Sequence, residues 1–343
     1  MAGRKQHYIP QFVLKGFAKK GTGKKLQAYV FKKDSPFYIA AVDGIAAQRD
    51  FYSTPSKDGS PTLDDEITSY EGQLSTALHQ MRDAEVNIAA PSDSAARFIA
   101  HTAVRTAHFR DTFANLVEIL IIEITEKFED PEWVRVRIGM DKFKENSLFY
   151  TSISETLHQR NIPVISHKGL IEIFFDEANR RFPEFHSSML ESVKNIRGNI
   201  FDIKSMIVES HNKSLSRASE SNKRIKELES FEWKIYRSKK IEVVLPDCIA
   251  ITISENGSVS PYMWKDIFDD DLPYAIVAPL SRNCLLVGYH KFIPKFENLN
   301  AHFASCSEEF FVSSDPKQAR LVKNIGAWSN RIVDPFIATF IPW

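Results

Sequence analysis

The chain is organised around its opening segment, which reads Lys5-Gln-His-Tyr-Ile-Pro-Gln-Phe-Val-Leu-Lys-Gly-Phe17. The segment combines a histidine, two glutamines, three aromatic side chains and a proline. The ends of most domains are loose unless they are tied to the rest of the fold. We therefore expect this segment, called the N-terminal strap below, to pack between a helical body and a C-terminal sheet. Pro10 also favours an extended backbone at Ile9.

In an extended strap, alternate side chains point to opposite sides. This pattern predicts His7, Ile9 and Gln11 on one side, with Tyr8 and Phe12 on the other. A histidine titrates near neutrality and an amide is a neutral donor, so His7 and Gln11 are candidates for acid–base chemistry. The alternative is that both side chains only satisfy backbone groups beneath a docked terminus.

The composition is that of an ordinary globular protein. Of 343 residues 43% are hydrophobic, and 44 Lys and Arg balance 44 Asp and Glu, which gives no overall electrostatic reason to bind nucleic acid or an anionic membrane. Cys248, Cys284 and Cys306 lie far apart without a Cys-x-x-Cys pair, which argues for a reducing compartment and against a zinc module. Residues 1–20 lack the apolar core of a signal peptide, and charges interrupt the longest aliphatic run, so we expect a cytoplasmic protein without membrane contact.

Hydrophobic periodicity predicts an α+β fold in three consecutive segments. Residues 1–61 would hold the strap and a small β element, and residues 62–230 would form a helical body. Residues 231–343 would form a mainly antiparallel β-sheet, because the apolar period changes to two from Phe231.

Two helices of the predicted body supply further candidates. One apolar stripe predicts a single long helix from Ser92 or Ser94 to Pro131. One sector of it carries four basic side chains: Arg97, His101, Arg105 and His108. This sector could face a phosphate, or it could be a solvated helix face. Glu71 and Arg105 lie at the edges of two apolar helix faces, so they could also form a structural buried ion pair.

Several segments together resemble a widespread bacterial family of unknown function. The strap matches that family's opening His-Tyr-(Val/Ile)-Pro-Gln-Phe motif, and Asp50-Phe-Tyr52 is similar to its Lys-Asp-Phe-Tyr segment. Similar segments follow in the family's order, at Glu71, Phe98–Thr106, Ile253–Gly257 and Pro279–Ser281. The chain departs from the pattern where Glu255 replaces an aspartate and Gly257 and Arg282 replace prolines. Asp247, near the start of the same strand, is therefore kept as an alternative acidic residue.

The resemblance nominates a polar site made of His7, Gln11, Glu71, Arg105 and Glu255. Asp50 is added as a metal candidate beside His7. For Glu255 the alternative is a plain turn, because Asn256-Gly257 is a strong hairpin signal. The resemblance implies no established activity, although members of that family often accompany mobile elements and defence-like genes.

No known catalytic motif is present in the sequence, so the function is inferred from side-chain types. The first hypothesis is a bacterial intracellular hydrolase, leaning towards a nuclease that acts in phage defence or as a toxin. His7 and a carboxylate would act with Arg105 as an anion clamp, a nucleic acid or nucleotide would be the partner, and His7 with Asp50 could bind a divalent metal. The alternative is a non-enzymatic binding or scaffold component of a defence or toxin complex, with a protein partner, in which the same residues are structural.

Overall fold

The computed structural model describes residues 5–53, 60–84, 88–138, 147–163, 167–216, 222–237, 242–264, 275–291, 293–294 and 297–329. The helices within these ranges are α1 (Gln11–Leu14), α2 (Leu63–Asp83), α3 (Ser92–Val104), α4 (Ala107–Phe128), α5 (Pro131–Ile138), α6 (Ser147–Gln159), α7 (His167–Arg180), α8 (Phe182–Gly198), α9 (Ile200–Ser216), α10 (Asn222–Glu229) and α11 (Leu299–Cys306). The strands are β1 (Lys5–His7), β2 (Lys19–Lys20), β3 (Leu26–Lys32), β4 (Tyr38–Ala41), β5 (Ala47–Arg49), β6 (Glu232–Arg237), β7 (Leu245–Pro246), β8 (Ile251–Ile253), β9 (Val259–Pro261), β10 (Ala275–Ser281), β11 (Cys284–Tyr289) and β12 (Phe310–Ser313).

The strands form three antiparallel sheets in the described part of the chain. β1 pairs with β5, and a C-terminal sheet has the order β6-β11-β10-β8-β9. The third sheet has the order β2-β3-β12-β7, with β4 also paired to β3, so strands from both ends of the chain share it. With helices between the two groups of strands, the predicted α+β class is confirmed.

The chain divides into two compact units. Among the described residues, one comprises 5–114 together with 206–329, and it contains the strap and the sheets. The other is helical and comprises Asn115–Ser205. The division into three consecutive segments stays a prediction. None of the helices in the described ranges is long and apolar enough to cross a membrane.

The strap is part of the main hydrophobic core. The side chains of Ile9, Val13, Leu14 and Phe17 are completely buried, in one cluster with residues of α2, α3 and both larger sheets. Removing each such side chain from water contributes roughly 1.5–3 kcal/mol, which is what holds this terminus in place.

The strap is extended only as far as His7, which differs from the predicted alternation. Pro10 has φ −56° and ψ 137°, and α1 begins at the next residue. Ile9 is therefore buried, whereas His7 and Gln11 are half-exposed. His7 and Gln11 meet across a turn, and not as alternate residues of one strand.

The predicted long helix is interrupted between α3 and α4. His211 Nε2 lies 2.7 Å from Val104 O, and Thr106 Oγ1 accepts a hydrogen bond from Phe109 N at 3.3 Å. Side chains thus satisfy backbone groups that a continuous helix would pair internally. Arg105 stands at the break, where its carbonyl oxygen lies 3.2 Å from the Tyr52 hydroxyl group.

Arg82, in the last turn of α2, joins the strap to β10. Its guanidinium group donates to Phe12 O at 2.9 Å, to Val13 O at 3.0 Å and to Leu280 O through Nε at 2.7 Å. Burial lowers the pKa of Arg82 to about 10, so the group stays charged at neutral pH. The strap therefore lies between α2 and the C-terminal sheet, and a half-buried cation fixes it there.

A substitution at Gly16 tests how tightly the strap packs against Arg82 and β10. A Cβ atom at Gly16 would lie 2.6 Å from Leu280 O and would also meet the Arg82 guanidinium group, so Gly16→Ala forces the strap away from β10. We expect Gly16→Ala to lower the free energy of unfolding by about 1–3 kcal/mol in urea titrations. Gly72→Ala is the matched control, because a Cβ at Gly72 has open space and lies within α2. That control should stabilise the protein by about 0.5–1 kcal/mol. Equal effects at both glycines would contradict tight packing of the strap.

Candidate functional site

The candidate site is built around the guanidinium group of Arg105, which is 2% exposed. Nε donates to the Tyr52 hydroxyl oxygen at 3.0 Å, and Nη2 donates to the His7 carbonyl oxygen at 2.5 Å. Nη1 forms an ion pair with the carboxylate of Glu71. We call this set the Arg105 lock: Arg105, Glu71, Tyr52 and the His7 carbonyl group. It joins α2 and the end of α3 to the strap and to the chain after β5.

A second set of hydrogen bonds holds the strap from the side of Gln6. The Gln6 side chain is buried, accepts from Tyr52 N at 2.6 Å and donates to Ser53 O at 2.7 Å. The pairing of β1 with β5 continues into a bond from Tyr8 N to Ala46 O at 3.0 Å. Gln6 was not a predicted site residue. The sequence offered one indication of its role, which is its position next to His7 in the strap motif. That position alone does not show whether the amide group is buried or exposed.

His7 and Gln11 lie at the outer edge of the lock. His7 Nδ1 is 3.5 Å from Gln11 Nε2, at the limit of a hydrogen bond. Burial lowers the pKa of His7, and a hydrogen bond with the backbone of Asp43 opposes part of that shift. His7 therefore favours the neutral form at pH 7, in which an imidazole nitrogen can accept a proton. The predicted proximity of the two side chains is present in the structure.

His101 lies on the inner side of the lock. Its Nε2 is 3.4 Å from Arg105 Nη1, and its ring centroid is 4.8 Å from that of Tyr70. Burial lowers the pKa of His101 to about 4. A neutral imidazole can stand beside a guanidinium group, whereas an imidazolium ion would be repelled there. His101 is thus a buried structural residue, and neither a phosphate ligand nor part of a solvated face.

Other predicted residues lie apart from this cluster. Glu255 is exposed in the turn between β8 and β9, where Gly257 has φ 80°, and among the described residues it contacts no member of the lock. Asp50 has φ 52° and lies 3.5 Å from the side chain of Arg49. Arg97 pairs with Asp93 at 2.6 Å on the outside of α3. The structure therefore brings together His7, Gln11, Glu71 and Arg105, but not Glu255.

The arrangement limits what Arg105 can do. Its N–H groups point at a hydroxyl group, a carboxylate and a carbonyl group, all in the protein. An anionic ligand would have to displace Glu71 from a buried ion pair, and leaving one partner of such a pair uncompensated costs about 3–5 kcal/mol. One alternative in the sequence analysis was that Glu71 and Arg105 form a structural buried ion pair. The geometry of the two side chains fits that alternative.

Metal-ligand side chains come together at a different place. Within the described ranges, the group of three or more that could hold an ion is His108, Asp247 and Cys248, and it includes neither His7 nor Asp50. Asp247, the alternative acidic residue, is buried and accepts hydrogen bonds from the backbone N–H groups of Glu308, Glu309 and Phe310. Burial raises the pKa of Asp247 to about 7, although those hydrogen bonds lower it.

Comparison with known proteins assigns no activity to this site. A family model described as a protein of unknown function (DUF4238) matches residues 5–328, which is nearly the whole chain. No curated protein and no solved structure matches the chain.

The burial of His101 predicts a dependence of stability on pH. In the unfolded chain an imidazole takes up a proton below its ordinary pKa of 6.5, whereas folded His101 does so only near pH 4. The unfolded state thus binds more protons between these values, and the stability contributed by neutral His101 is lost as the pH falls through this window. In urea titrations between about pH 4.5 and 6, His101→Phe should reduce the slope of unfolding free energy against pH by up to about 1.4 kcal/mol per unit.

The comparison must be made with the wild type at each pH. The carboxyl group of Asp247 has a raised pKa and so contributes with the opposite sign over much of the same range. Both proteins contain Asp247, so its contribution cancels in the difference. A slope that is the same in the two proteins would contradict a buried, neutral His101.

Proposed function

The chain belongs to the DUF4238 family of proteins of unknown function, and from the geometry of its site we propose that it is a non-enzymatic binding component in which the Arg105 lock is structural. The observation that carries the proposal is that the guanidinium group of Arg105, at 2% exposure, bonds only to protein groups among the described residues. A group that serves as an anion clamp needs N–H donors that a ligand can reach.

The way in which the lock holds His7 also favours a structural role. Arg105 bonds to the carbonyl oxygen of His7, and the hydroxyl group of Tyr52 lies 3.3 Å from the same atom. Arg105 and Tyr52 therefore contact the backbone of the strap, and the imidazole ring of His7 is not part of the lock.

The surface that we propose for binding lies on α7, in the helical unit Asn115–Ser205. α7 buries Ile171 and Phe175 on one side, whereas Ile173 and Phe174 on the other side are 66% and 54% exposed. Leu170 extends the exposed stripe by one helical turn. A helix that is apolar on two sides is ordinarily covered on both, and large exposed apolar groups commonly mark interaction sites.

The apolar side chains of this stripe and the charges at its rim favour a protein as the binding partner. The stripe ends at Glu177 and Arg180, which pair with each other at 2.7 Å. The rim carries charges of both signs, and the chain has no net charge. Such a surface does not complement a nucleic acid or an anionic membrane, because both are negatively charged. The partner that fits is a protein with an apolar patch and a polar rim. The resemblance to a family found near defence-like genes suggests a defence or toxin complex as the setting.

A hydrolase is the second candidate, and one observation favours it. The His7 side chain is half-buried with its Nε2 atom out of contact with solvent, burial lowers its pKa, and Nδ1 lies 3.5 Å from the amide nitrogen of Gln11. A neutral imidazole can act as a general base towards a water molecule, and an amide N–H can donate to the oxygen of a polarised bond. In this alternative Arg105 and Glu71 only position the strap.

The two candidates are separated by placing a photo-crosslinking residue at position 173 of the full-length chain in its native host. We expect a discrete adduct with a partner protein, because Ile173 lies at the centre of the exposed stripe. Phe174→Glu should abolish the adduct, since a buried unpaired carboxylate opposes docking. The same probe at Glu155, an exposed polar position on α6, is the matched control and should give no adduct.

His7→Ala provides the second arm. It keeps the carbonyl group that Arg105 binds, so the melting temperature should stay within a few degrees of the wild-type value, and the adduct at position 173 should persist. Hydrolysis of single-stranded RNA, DNA or nucleotides that His7→Ala abolishes at an unchanged melting temperature would establish the second candidate. Adducts at position 173 that survive Phe174→Glu would contradict the proposed binding surface.

A further inference from the structure

Three buried side chains with nitrogen, oxygen and sulfur donors meet away from the Arg105 lock. His108 lies in the first turn of α4, and Asp247 and Cys248 follow β7 directly. One potential ligand atom from each residue lies within 4.8 Å of the other two, and all three residues are buried. Neither the lock nor the proposed binding surface uses this cluster.

One ring nitrogen of His108 contacts the backbone, as in many metal-binding histidines. His108 Nε2 lies 3.0 Å from the carbonyl oxygen of Cys306 in α11, to which Nε2–H can donate. This bond fixes the tautomer and leaves Nδ1 as the acceptor. Histidines that bind metals almost always donate their second ring N–H group to a carbonyl or carboxylate oxygen in this way.

Backbone N–H groups hold the carboxylate of Asp247 in place, and its Oδ1 atom can still accept a further bond. Oδ2 accepts from Glu309 N at 2.8 Å and from Phe310 N at 3.1 Å, whereas Oδ1 accepts from Glu308 N at 3.1 Å. Each carboxylate oxygen has about two lone-pair directions, so Oδ1 can accept a second partner. Hydrogen bonds from backbone groups to a liganding carboxylate are the usual supporting shell of a metal site.

We propose that His108, Asp247 and Cys248 bind a divalent cation of the zinc type at a structural site. A set with an imidazole and a thiolate excludes magnesium and calcium, which require oxygen ligands, and suits zinc, for which cobalt is a spectroscopic substitute. Binding replaces the thiol proton of Cys248, which passes to solvent, by a sulfur–metal bond. The cation would compensate the charge of the Asp247 carboxylate and of the Cys248 thiolate that forms when the metal binds.

The geometry requires a modest contraction of the cluster. Ligand atoms around a tetrahedral zinc ion are about 3.3–3.8 Å apart, given bonds of roughly 2.0–2.3 Å. Pairs of ligand atoms at the upper limit of 4.8 Å must therefore approach each other by about 1–1.5 Å. Such a site would tie α4 to the segment between β7 and β8.

The test is metal analysis of the full-length, tag-free protein grown in minimal medium with added Zn²⁺ or Co²⁺. Because the cluster is buried, the ion would be loaded during folding. After exchange into metal-free buffer, we expect about one ion per chain by mass spectrometry. The cobalt form should show near-ultraviolet absorption from charge transfer between sulfur and cobalt. Wild-type protein refolded with Zn²⁺ should melt at a higher temperature than protein refolded with a chelator.

Two cysteine variants make the assignment specific. Cys248→Ser should lose the charge-transfer absorption and most of the bound metal. Cys284→Ser is the matched control, because Cys284 is equally buried but lies in β11, and it should keep both. The proposal is overturned if wild-type protein holds less than about a tenth of an ion per chain after growth with either metal. It is also overturned if the two variants hold the same amount, since the three residues would then be a hydrogen-bonded cluster without an ion.

Discussion

The structure depends on one buried cation, the guanidinium group of Arg105. It stands where α3 ends, and each of its three nitrogens contacts a different protein group: a hydroxyl group, a carboxylate or the carbonyl oxygen of His7. A buried guanidinium group is stable only when its N–H groups are paired, so each partner must be in place before the others are satisfied. This requirement links the N-terminal strap, the chain after β5, α2 and α3 into one unit. The break between α3 and α4 follows from it, because a continuous helix would pair the carbonyl groups that the Tyr52 hydroxyl and His211 contact.

Arg105 and Arg82 hold the strap by its backbone and not by its side chains. Arg105 binds the carbonyl oxygen of His7, and Arg82 binds those of Phe12 and Val13. The apolar side chains of the strap enter the core, and the half-exposed His7 and Gln11 are left at its outer edge. The arginines thus fix the backbone of the strap, whereas the two proposed functions make different demands on the half-buried side chain of His7.

The sequence predicted those parts of the structure that depend on local patterns. The apolar periodicities indicated the α+β class, and the edge positions of Glu71 and Arg105 on their helices indicated their meeting. The turn at Pro10 was not predictable, because a proline permits either a continued extended strand or the first turn of a helix. Arg82 and Gln6 could not be identified as anchors, since their partners are backbone atoms, which leave no signal in side-chain type. The cluster of His108, Asp247 and Cys248 was not predicted, because the spacing of cysteines identifies compact zinc modules, whereas these three residues come from distant parts of the chain.

The central claim is that the Arg105 lock holds the strap against the rest of the fold. Its most direct test is native-state hydrogen exchange of the double variant Arg105→Met/Glu71→Leu, which removes both charges together and so leaves no buried ion unpaired. We predict that the amide of Tyr8, bonded to Ala46 O, loses at least about tenfold of its protection, which corresponds to about 1.4 kcal/mol. The amide of Val277 in the centre of β10 should keep its protection. Wild-type protection at Tyr8 in the double variant would contradict the claim.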